Sequence, residues 1–313
     1  MDEKLCFVIP NYNGARHLNY SLKSLEPCTG PKTVTVLVDD ASTDDSVRFV
    51  ETNYPDIVIV RRARNRGFAA SVNQGMKWAS EKGIPYVAVF NSDVKVPRGF
   101  WQPAVNYFEY NNRVGVVGFK EVNDGVVEVP ASIEFEPAPP ALPGMLYICR
   151  MRAVEEIGFF DESYVMYGEE SDLFDRLIAS GWEIRQSNIP IWHFVSGSRK
   201  KARWRMAWYS YRNMILHSVR NRSILGIARS IAVSGYYALF IPKRPASQTW
   251  VGRYLLRRPV ESEDFSGLFQ ARLQRFNLGN RGLNSIVWVA AILWNALMLP
   301  MNAAQREQPR LPL

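Results

Sequence analysis

Short apolar runs alternate with amphipathic stretches along the first 120 residues of the chain. The apolar runs are rich in β-branched and aromatic side chains, which is typical of buried strands, and they cover Leu5–Ile9, Val34–Val38, Ile57–Val60, Tyr86–Phe90 and Val114–Phe119. Apolar residues at helical spacing predict helices over Ala15–Leu25, Asp44–Thr52, Phe68–Ser80 and Phe100–Tyr110. Ser42 is expected to cap the second helix. Strands that alternate with helices predict an α/β fold with a mostly parallel sheet flanked by helices.

This alternation changes between residues 121 and 150. Gly125 lies between two short extended runs, which indicates a hairpin, and the Pro-rich segment Pro137–Gly144 follows. Such a segment fits a loop over a binding site and a simple connector equally well. A helix is expected next at about 169–180, and short strands are expected around 182–194.

The composition is that of a folded protein. Of 313 residues, 47% are hydrophobic and 22% are charged, which excludes wholesale disorder. Cys6, Cys28 and Cys149 have neither CxxC nor metal-ligand spacing, so we expect neither a disulfide scaffold nor a zinc module. The residues after Met1 lead directly into a strand, and we expect no secretory signal.

The net charge of +8 is unevenly distributed along the chain. Residues 1–195 contain 19 Lys and Arg against 26 Asp and Glu, a balance of −7, whereas residues 196–313 contain 19 against 4, a balance of +15. We therefore predict a catalytic domain at residues 1–198 and a basic, aromatic-rich helical region at 199–313. Such a region suits an anionic partner.

Two acidic groups lie where predicted strands end. Asp39-Asp40 follows Val34–Val38, and Asp93 in Asn91-Ser92-Asp93 follows Tyr86–Phe90. Ligands of open α/β sheets bind beyond the carboxyl ends of the strands, so these side chains are candidates for a binding crevice. Asp and Asn also end strands for purely local reasons, because they favour turns.

A third acidic group, Glu169-Glu170-Ser171-Asp172, begins the helix expected at 169–180. At about 100° per residue, Glu170 points along the apolar stripe of Leu173, Phe174, Leu177 and Ile178, Glu169 lies to one side, and Asp172 points largely away. Acids in a first helical turn complement the helix dipole, which accounts for Glu169 and Asp172. It does not account for Glu170, because a carboxylate that faces a core is costly without a partner or a task. Burial makes a carboxylate more basic, which suits a general base.

His193 follows the apolar run Ile189–Trp192 and precedes a Gly- and Ser-rich turn. A single histidine in this position is more often structural than a ligand. An acidic site that needs a cation would change that balance, because imidazole and carboxylate together suit a divalent metal.

Taken together, these motifs resemble the family 2 glycosyltransferases, whose nucleotide-sugar-binding fold is called GT-A. The resemblance extends over roughly residues 4–220. It lies in the order and spacing of Val8-Ile9-Pro10-Asn11-Tyr12-Asn13, Val38-Asp39-Asp40-Ala41-Ser42-Thr43-Asp44, Asn65-Arg66-Gly67-Phe68-Ala69, Asn73-Gln74-Gly75, Asn91-Ser92-Asp93, Gly158-Phe159-Phe160-Asp161-Glu162 and Tyr167-Gly168-Glu169-Glu170-Ser171-Asp172-Leu173. The chain is most similar to the rhamnosyltransferase-like branch that builds bacterial cell-surface polysaccharides, because Tyr209-Ser210-Tyr211-Arg212-Asn213 matches its Tyr-x-x-Arg-Asn element.

The resemblance implies a role for each motif residue. Asp40 would hydrogen-bond a pyrimidine base, and Glu170 would be the catalytic base. Asp93 would bind Mg²⁺ or Mn²⁺, with His193 as a further ligand. Glu169 and Asp172 would belong to the catalytic cluster. The rest of the donor nucleotide site would be formed by Pro10, Asn11, Tyr12, Asp39, Asn65, Gly67, Asn73, Asn91 and Ser92.

Two positions depart from the family pattern. Asn91 stands where the family's DxD motif begins with Asp, which would weaken metal affinity or shift it toward His193. Glu169-Glu170 replaces the usual Glu-Asp pair, which makes the arm of the base one methylene longer. The carboxylate is kept, but its reach changes.

The basic region begins with an aromatic-rich helix in which Trp204, Trp208, Tyr211 and Ile215 recur at helical spacing. This stripe fits an anionic membrane surface and packing against the catalytic domain equally well. The apolar stretch Ile224–Ile241 is interrupted by Arg229, and Ser285–Met301 reaches the lower limit of about 17 residues for a span. We expect an interfacial or re-entrant segment there. Nucleic-acid binding is the weaker account of the charge, because no nucleic-acid motif is present.

The implied function is an inverting, metal-dependent glycosyltransferase. The best match for the donor is dTDP-rhamnose, with a UDP-sugar as the alternative, and the acceptor would be a lipid-linked or polysaccharide hydroxyl. The enzyme would act at the cytoplasmic face of the inner membrane as a peripheral or re-entrant protein. The rival hypothesis is a catalytically silent nucleotide-sugar-binding scaffold. A Rossmann dehydrogenase is disfavoured because no GxGxxG follows the first strand.

Overall fold

The computed structural model describes residues 4–122, 127–139, 142, 144–194, 203–221, 224–240 and 281–304. The chain divides into two compact units, Met1–Ser196 and Gly197–Leu313. The hairpin expected around Gly125 and the side chain of Trp204 lie outside what the structure describes.

The first unit is built on one curled sheet. Its strands are β1 (Leu5–Asn11), β2 (Thr33–Asp39), β3 (Val58–Arg61), β4 (Tyr86–Phe90), β5 (Val94–Lys95), β6 (Val114–Val122), β7 (Phe135–Pro137), β8 (Leu146–Arg150) and β9 (Glu183–His193). The strand order is β3-β2-β1-β4-β8-β6-β9-β5, and β7 pairs with β9. The five strands predicted within the first 120 residues are all present, whereas the short strands expected around 182–194 are one long strand, β9.

The expectation of a mostly parallel sheet is correct for only one half of it. β3, β2, β1 and β4 are parallel, because helical crossovers connect them. β8 is antiparallel to β4 and β6, and β9 is parallel to β6 but antiparallel to β5 and β7. The sheet is therefore mixed, since the chain enters β8 through the Pro-rich loop rather than through a crossover helix.

Six α-helices flank this sheet in the described part of the first unit. They are α1 (Ala15–Leu25), α2 (Ser46–Asn53), α3 (Phe68–Glu81), α4 (Trp101–Tyr110), α5 (Met151–Glu156) and α6 (Glu169–Ala179). The prediction that Ser42 caps α2 is wrong, because the residue before that helix is Asp45. Ser42 Oγ instead accepts hydrogen bonds from Asn11 Nδ2 and the Asn13 amide. The hydroxyl that was expected to cap α2 therefore binds residues at the end of β1 instead.

The core lies on both faces of the sheet. Leu5, Phe7 and Ile9 of β1 face one cluster, and Cys6 and Val8 face the other. Strands buried on both faces read as continuous apolar runs, which explains why the sequence pattern located β1, β2 and β4 so well. All three cysteines are buried as free thiols, and burial raises the pKa of the Cys28 thiol.

The second unit contains three helices among its described residues, α7 (Arg203–Arg220), α8 (Ile224–Phe240) and α9 (Arg281–Ala304), and each packs against the other two. Tyr211 and Ile215 of the predicted aromatic stripe are buried, and the Trp208 ring lies 5.8 Å from that of Trp294 in α9. These described side chains thus pack within the helical bundle of the second unit, and they decide neither for the expected membrane contact nor for the expected packing against the catalytic domain. None of the described helices is both long and apolar enough to cross a membrane.

Candidate active site

The carboxyl ends of β1 and β2 are joined by buried side-chain hydrogen bonds. Asn11 Nδ2 donates to Asp39 Oδ1 at 3.0 Å and to Ser46 Oγ at 2.9 Å. Asp39 Oδ2 accepts from the Ser42 amide at 3.1 Å. Asn11 and Asp39 thus hold the turn that follows β2; both side chains are buried, and Asn11 Oδ1 has no hydrogen-bond partner among the described residues.

Asp40 fixes the turn before α3. Its carboxylate accepts from the backbone amides of Arg66 at 3.0 Å and Gly67 at 2.8 Å, and it pairs with Arg62 Nε at 3.0 Å. Gly67 has φ +91°, and a Cβ there would lie only 2.3 Å from the Val165 carbonyl oxygen. The glycine is required by both its backbone conformation and this close approach.

Asn73 connects α3 to the segment before α6. Its Nδ2 donates to the Phe160 carbonyl at 2.9 Å, and its Oδ1 accepts from the Phe160 amide at 2.9 Å. Arg66 pairs with Glu162 at 3.0 Å in the same region. The motifs at residues 65–69, 73–75 and 158–162 therefore lie together. The Asn73 side chain joins two of them by its hydrogen bonds to the Phe160 backbone.

Three predicted donor-site residues remain open to solvent. Pro10 is half-buried, Tyr12 is 54% exposed and Asn65 is exposed. Pro10 and Tyr12 lie at the end of β1, and Asn65 follows β3, the two strands that flank β2. This edge of the sheet therefore presents an exposed ring and an exposed amide.

The turn after β4 contains Asn91, Ser92 and Asp93. The Asn91 amide donates to the Met145 carbonyl at 3.0 Å, and Ser21 Oγ of α1 donates to the Ser92 carbonyl at 2.8 Å. The Phe194 amide donates to the Asp93 carbonyl at 2.8 Å, next to the pairing of β5 with β9. This pairing places Asp93 beside His193, two residues that are 100 positions apart.

His193 lies between two carboxylates. Its Nε2 is 3.3 Å from Asp93 Oδ1, and its Nδ1 is 3.3 Å from Glu121 Oε1. Burial lowers the pKa of His193, but the hydrogen bonds and negative charges of Asp93 and Glu121 outweigh burial and raise it to about 9. Sequence reasoning missed Glu121. Glu121 is the penultimate residue of β6 and lies 72 positions from His193, and no motif or spacing in the sequence indicated it.

The residues at this turn fit a divalent cation. Asp93 Oδ1 and His193 Nε2 face each other, and Asn91 Oδ1 is buried without a hydrogen-bond partner among the described residues. Oxygen and imidazole ligands suit Mn²⁺ or Mg²⁺. The described ranges hold no group of three His, Cys, Asp or Glu arranged around a metal. A cation here would therefore complete its coordination with oxygens from outside the chain, such as phosphate and water.

The first turn of α6 carries three buried acids, Glu169, Glu170 and Asp172. The burial of Glu170 agrees with the helical periodicity. The expectation that Asp172 points away is wrong, because its carboxylate is buried and pairs with Arg176 Nε at 2.7 Å. Ile178, placed on the apolar stripe from the sequence, is 59% exposed instead. Near this turn, burial and then the charge of Glu170 raise the pKa of the fully buried Tyr147 phenol well above its usual range.

The absence of a side chain at Gly144 allows the Glu170 side chain to lie against the backbone there. A Cβ at Gly144 would lie 2.1 Å from Glu170 Oε1 and 2.6 Å from its Cδ, so the glutamate side chain lies directly against this backbone. The next residue, Met145, accepts the Asn91 amide. The end of the Pro-rich segment thus brings Glu170 to the turn that carries Asp93, and it borders the site.

Gly144→Ala is expected to lower the turnover rate of the protein's reaction with little loss of stability. The added methyl group would displace a flexible carboxylate rather than backbone, and a misplacement of about 1 Å at a reacting group can cost roughly 100-fold. Steady-state kinetics would show a lower kcat and an unchanged donor KM. Gly30→Ala is the matched control, because nothing lies within 4 Å of a Cβ there. A Gly144→Ala protein with the wild-type kcat would contradict this role.

A separate cleft of about 390 Å³ runs along α3 and the edge strand β3. Arg62 and Arg66 line it, but each already pairs with a carboxylate, Asp40 and Glu162 respectively. The cleft includes neither Asp93 nor Glu170. We therefore place the candidate chemistry at the strand ends and assign none to this cleft.

Comparisons with known proteins point to one class of enzyme. Residues 6–152 match the family model described as glycosyl transferase family 2. N-acetylglucosaminyl-diphospho-decaprenol L-rhamnosyltransferase of Mycobacterium tuberculosis is 27% identical over 223 residues, which cover 58% of this chain and 73% of that protein.

Two solved structures share the fold. Mannosyltransferase PcManGT from Pyrobaculum calidifontis, in complex with GDP-Man and Mn²⁺, has a TM-score of 0.58 at 17% identity, over 95% of this chain and 88% of that one. TarS of S. aureus has a TM-score of 0.54 at 16% identity, over 90% of this chain. The chain spans 55% of the length of that TarS structure. These likenesses support the GT-A type of fold.

Proposed function

We propose that the chain is a glycosyltransferase that transfers a sugar with inversion from a nucleoside diphosphate to an acceptor hydroxyl, a proposal supported by the match of residues 6–152 to the family model described as glycosyl transferase family 2. The proposed donor is dTDP-rhamnose, with a UDP-sugar as the alternative. The proposed acceptor is a lipid-linked or polysaccharide glycan. Glu170 is proposed as the general base, with Asp93 and His193 as the cation ligands.

One observation carries this proposal. The Gly144–Met145 backbone contacts the Glu170 side chain on one side and bonds the Asn91 turn on the other. The buried carboxylate of α6 that lies against this backbone and the Asp93–His193 pair are the two chemical components that glycosyl transfer requires. A base must remove a proton from the acceptor, and positive charge must stabilise the departing diphosphate.

The proposed reaction is a single displacement. Glu170 accepts the proton of the acceptor hydroxyl, whose oxygen attacks the anomeric carbon of the donor sugar. The bond from that carbon to the diphosphate breaks as the new glycosidic bond forms, so the configuration at the anomeric carbon inverts. The nucleoside diphosphate leaves with the electron pair of the broken bond.

Asp93 and His193 would hold a Mn²⁺ or Mg²⁺ ion, with Asn91 Oδ1 as a further oxygen nearby. The bound cation would supply positive charge to the leaving diphosphate. Glu121 contacts the other ring nitrogen of His193, so it would orient the imidazole toward the cation. The printed description of PcManGT includes Mn²⁺, which supports this choice of ion.

The donor base is proposed to lie over Pro10 and Tyr12, near Asp40 and Asn65. The Asp40 carboxylate accepts hydrogen bonds from the backbone amides of Arg66 and Gly67. Its part in donor recognition would therefore include keeping the turn before α3 rigid. Asn11, Asp39 and Asn73 would act through the turns that they fix, Gly67 through its backbone, and Ser92 through the turn to Asp93. The rhamnose assignment rests on the mycobacterial relative.

The acceptor and location follow the same relative. Its name specifies an N-acetylglucosaminyl-diphospho-decaprenol acceptor, and a lipid-linked acceptor would be presented at the cytoplasmic face of the inner membrane. We propose a peripheral or re-entrant attachment there through residues 199–313, whose balance is basic.

A panel of nucleotide sugars tests the donor assignment. With Mn²⁺ present, dTDP-rhamnose is expected to raise the Tm more than UDP-N-acetylglucosamine, UDP-glucose or GDP-mannose do, because a ligand that binds only the folded state stabilises it. At a concentration 100 times its Kd, the stabilisation is about 2.7 kcal/mol. If a UDP-sugar gives the largest shift, the alternative donor replaces rhamnose. If donors bind but no sugar is ever transferred, the silent scaffold is correct.

A further inference from the structure

One face of α9 exposes a continuous row of large apolar side chains. Ile286, Val289, Leu293 and Leu297 fall within a stripe of about 80° at helical spacing, and Leu293 and Leu297 are 57% and 78% exposed. Trp294 lies at the margin of the stripe and is 41% exposed. An exposed apolar stripe of this length on a helix is typical of a surface that binds a partner.

The opposite face of α9 is buried and carries a polar residue. Asn295 is 2% exposed, and its Nδ2 donates to the carbonyls of Arg212 in α7 at 3.0 Å and Ala291 at 2.9 Å. On the same side, Trp288 Nε1 donates to Ser234 Oγ of α8 at 2.9 Å. The inward face is therefore fixed to α7 and α8 by specific hydrogen bonds, and α9 cannot rotate its apolar stripe inward without breaking them.

This arrangement is the reverse of that in a water-exposed helix. An amphipathic helix of a soluble bundle buries its apolar stripe and exposes its polar residues. In α9 the amide of Asn295 faces the bundle, and leucine, isoleucine and valine face outward. The outward face thus suits an apolar environment.

The charge of the basic region identifies the environment. The described part of the second unit contains no Asp or Glu and six arginines, but Arg212 and Arg220 are buried, so the charge that could meet a surface belongs to the rest of the region. Over residues 196–313 the balance is +15, from 19 Lys and Arg against 4 acids. An apolar stripe in a strongly basic region matches an anionic lipid surface, where acyl chains meet the stripe and head groups meet the cations. Tryptophan is favoured at that boundary.

From these observations we infer that α9 lies in the plane of an anionic bilayer surface and inserts the face formed by Ile286, Val289, Leu293 and Leu297. This inference deepens the proposed membrane location and rests on it. It also differs from the surface suggested by the sequence, since Tyr211 and Ile215 of the α7 stripe are buried. The bundle of α7, α8 and α9 would hold the inserting helix in a fixed orientation.

Vesicle binding by single-thiol variants tests which face inserts. The three native cysteines are buried, so Leu297→Cys provides an accessible thiol for an environment-sensitive fluorophore. Vesicles of phosphatidylcholine with phosphatidylglycerol are expected to shift its emission to the blue. Tyr110→Cys, at the 88% exposed end of α4, is the matched control and should not respond. No blue shift at Leu297→Cys with such vesicles, or an equal shift at both positions, would overturn the inference.

Co-sedimentation supplies an independent measurement. The double variant Leu293→Glu/Leu297→Glu is expected to lose at least tenfold of the vesicle-bound fraction, while Tyr110→Glu binds as the wild type does. Both leucines are exposed, so unfolding is not expected, and a wild-type far-UV circular dichroism spectrum, which includes the helices of the second unit, would confirm the fold. Binding of the double variant at the wild-type level would exclude this face. A wild-type dimer that the double variant dissociates would identify a second copy of the chain as its occupant. Intact donor binding with no vesicle binding would overturn this inference alone.

Discussion

Glu170→Gln is expected to reduce the rate of sugar transfer by about 1,000-fold, which is within the usual contribution of a general base. The amide keeps the size of the side chain and its fit against Gly144, but it cannot accept the proton of the acceptor. Donor affinity, measured by thermal shift, should remain unchanged. The effect should therefore appear in kcat and not in donor KM.

The control for this substitution is Glu109→Gln. Glu109 lies on α4 in a surface ion pair with Lys4, both partly exposed, and surface pairs of this kind contribute little. Its activity should equal that of the wild type. Transfer at the wild-type rate by Glu170→Gln would remove Glu170 as the base and direct attention to Glu169, which is buried beside it.

Asp93→Ala is the second large effect that we expect. This substitution removes the carboxylate oxygen that lies 3.3 Å from His193 Nε2. That oxygen is one of the proposed ligands of the cation. Because charge stabilisation by a bound cation contributes several kcal/mol, transfer should fall roughly 100-fold or more. Mn²⁺ binding, followed directly by electron paramagnetic resonance, should weaken in parallel.

Asp56→Ala is the comparison for this second effect, because Asp56 is exposed in the loop before β3. It should retain both Mn²⁺ affinity and transfer. If Asp93→Ala bound Mn²⁺ as tightly as the wild type does, the cation site would have to lie elsewhere.

The parts of the fold that sequence predicted well are those fixed by local burial. β1, β2 and β4 are covered on both sides, so their apolar runs are continuous, and α1 shows the 3.6-residue period of a helix with one buried side. The position of Glu170 followed from the same period. In each of these cases the apolar pattern of the segment itself shows which positions are buried.

The sequence predictions were wrong where contacts with residues elsewhere in the chain determine which side chains are buried or bonded. Ser42 left the helix cap because Asn11 and Asn13 bind its hydroxyl. Asp172 is buried because Arg176 accompanies it and donates to the Ile157 carbonyl at 2.8 Å. Arg176 lies one helical turn from Asp172 and was visible in the helical period, but its hydrogen bond to Ile157, 19 residues away, was not. Similarly, nothing local distinguishes the buried stripe of α7 from a membrane-facing one, because the three-helix packing determines which side is covered.

The candidate site shows the same division. The family motifs named Asp93 and His193, and the sheet brings them to 3.3 Å through the pairing of β5 with β9. Glu121 completes this cluster from β6, 72 residues away from His193. Only the register of the sheet makes these three residues neighbours, so sequence spacing alone could not have found the third.

The most direct test of the central claim is the product of a transfer reaction. The wild-type protein would be incubated with dTDP-rhamnose, Mn²⁺ and a short-chain lipid-diphospho-N-acetylglucosamine, and the anomeric configuration of the product would be determined by NMR. The account predicts one dTDP released for each sugar transferred and an inverted configuration at the anomeric carbon. A product of retained configuration, or no transfer with this donor or any UDP-sugar, would contradict it.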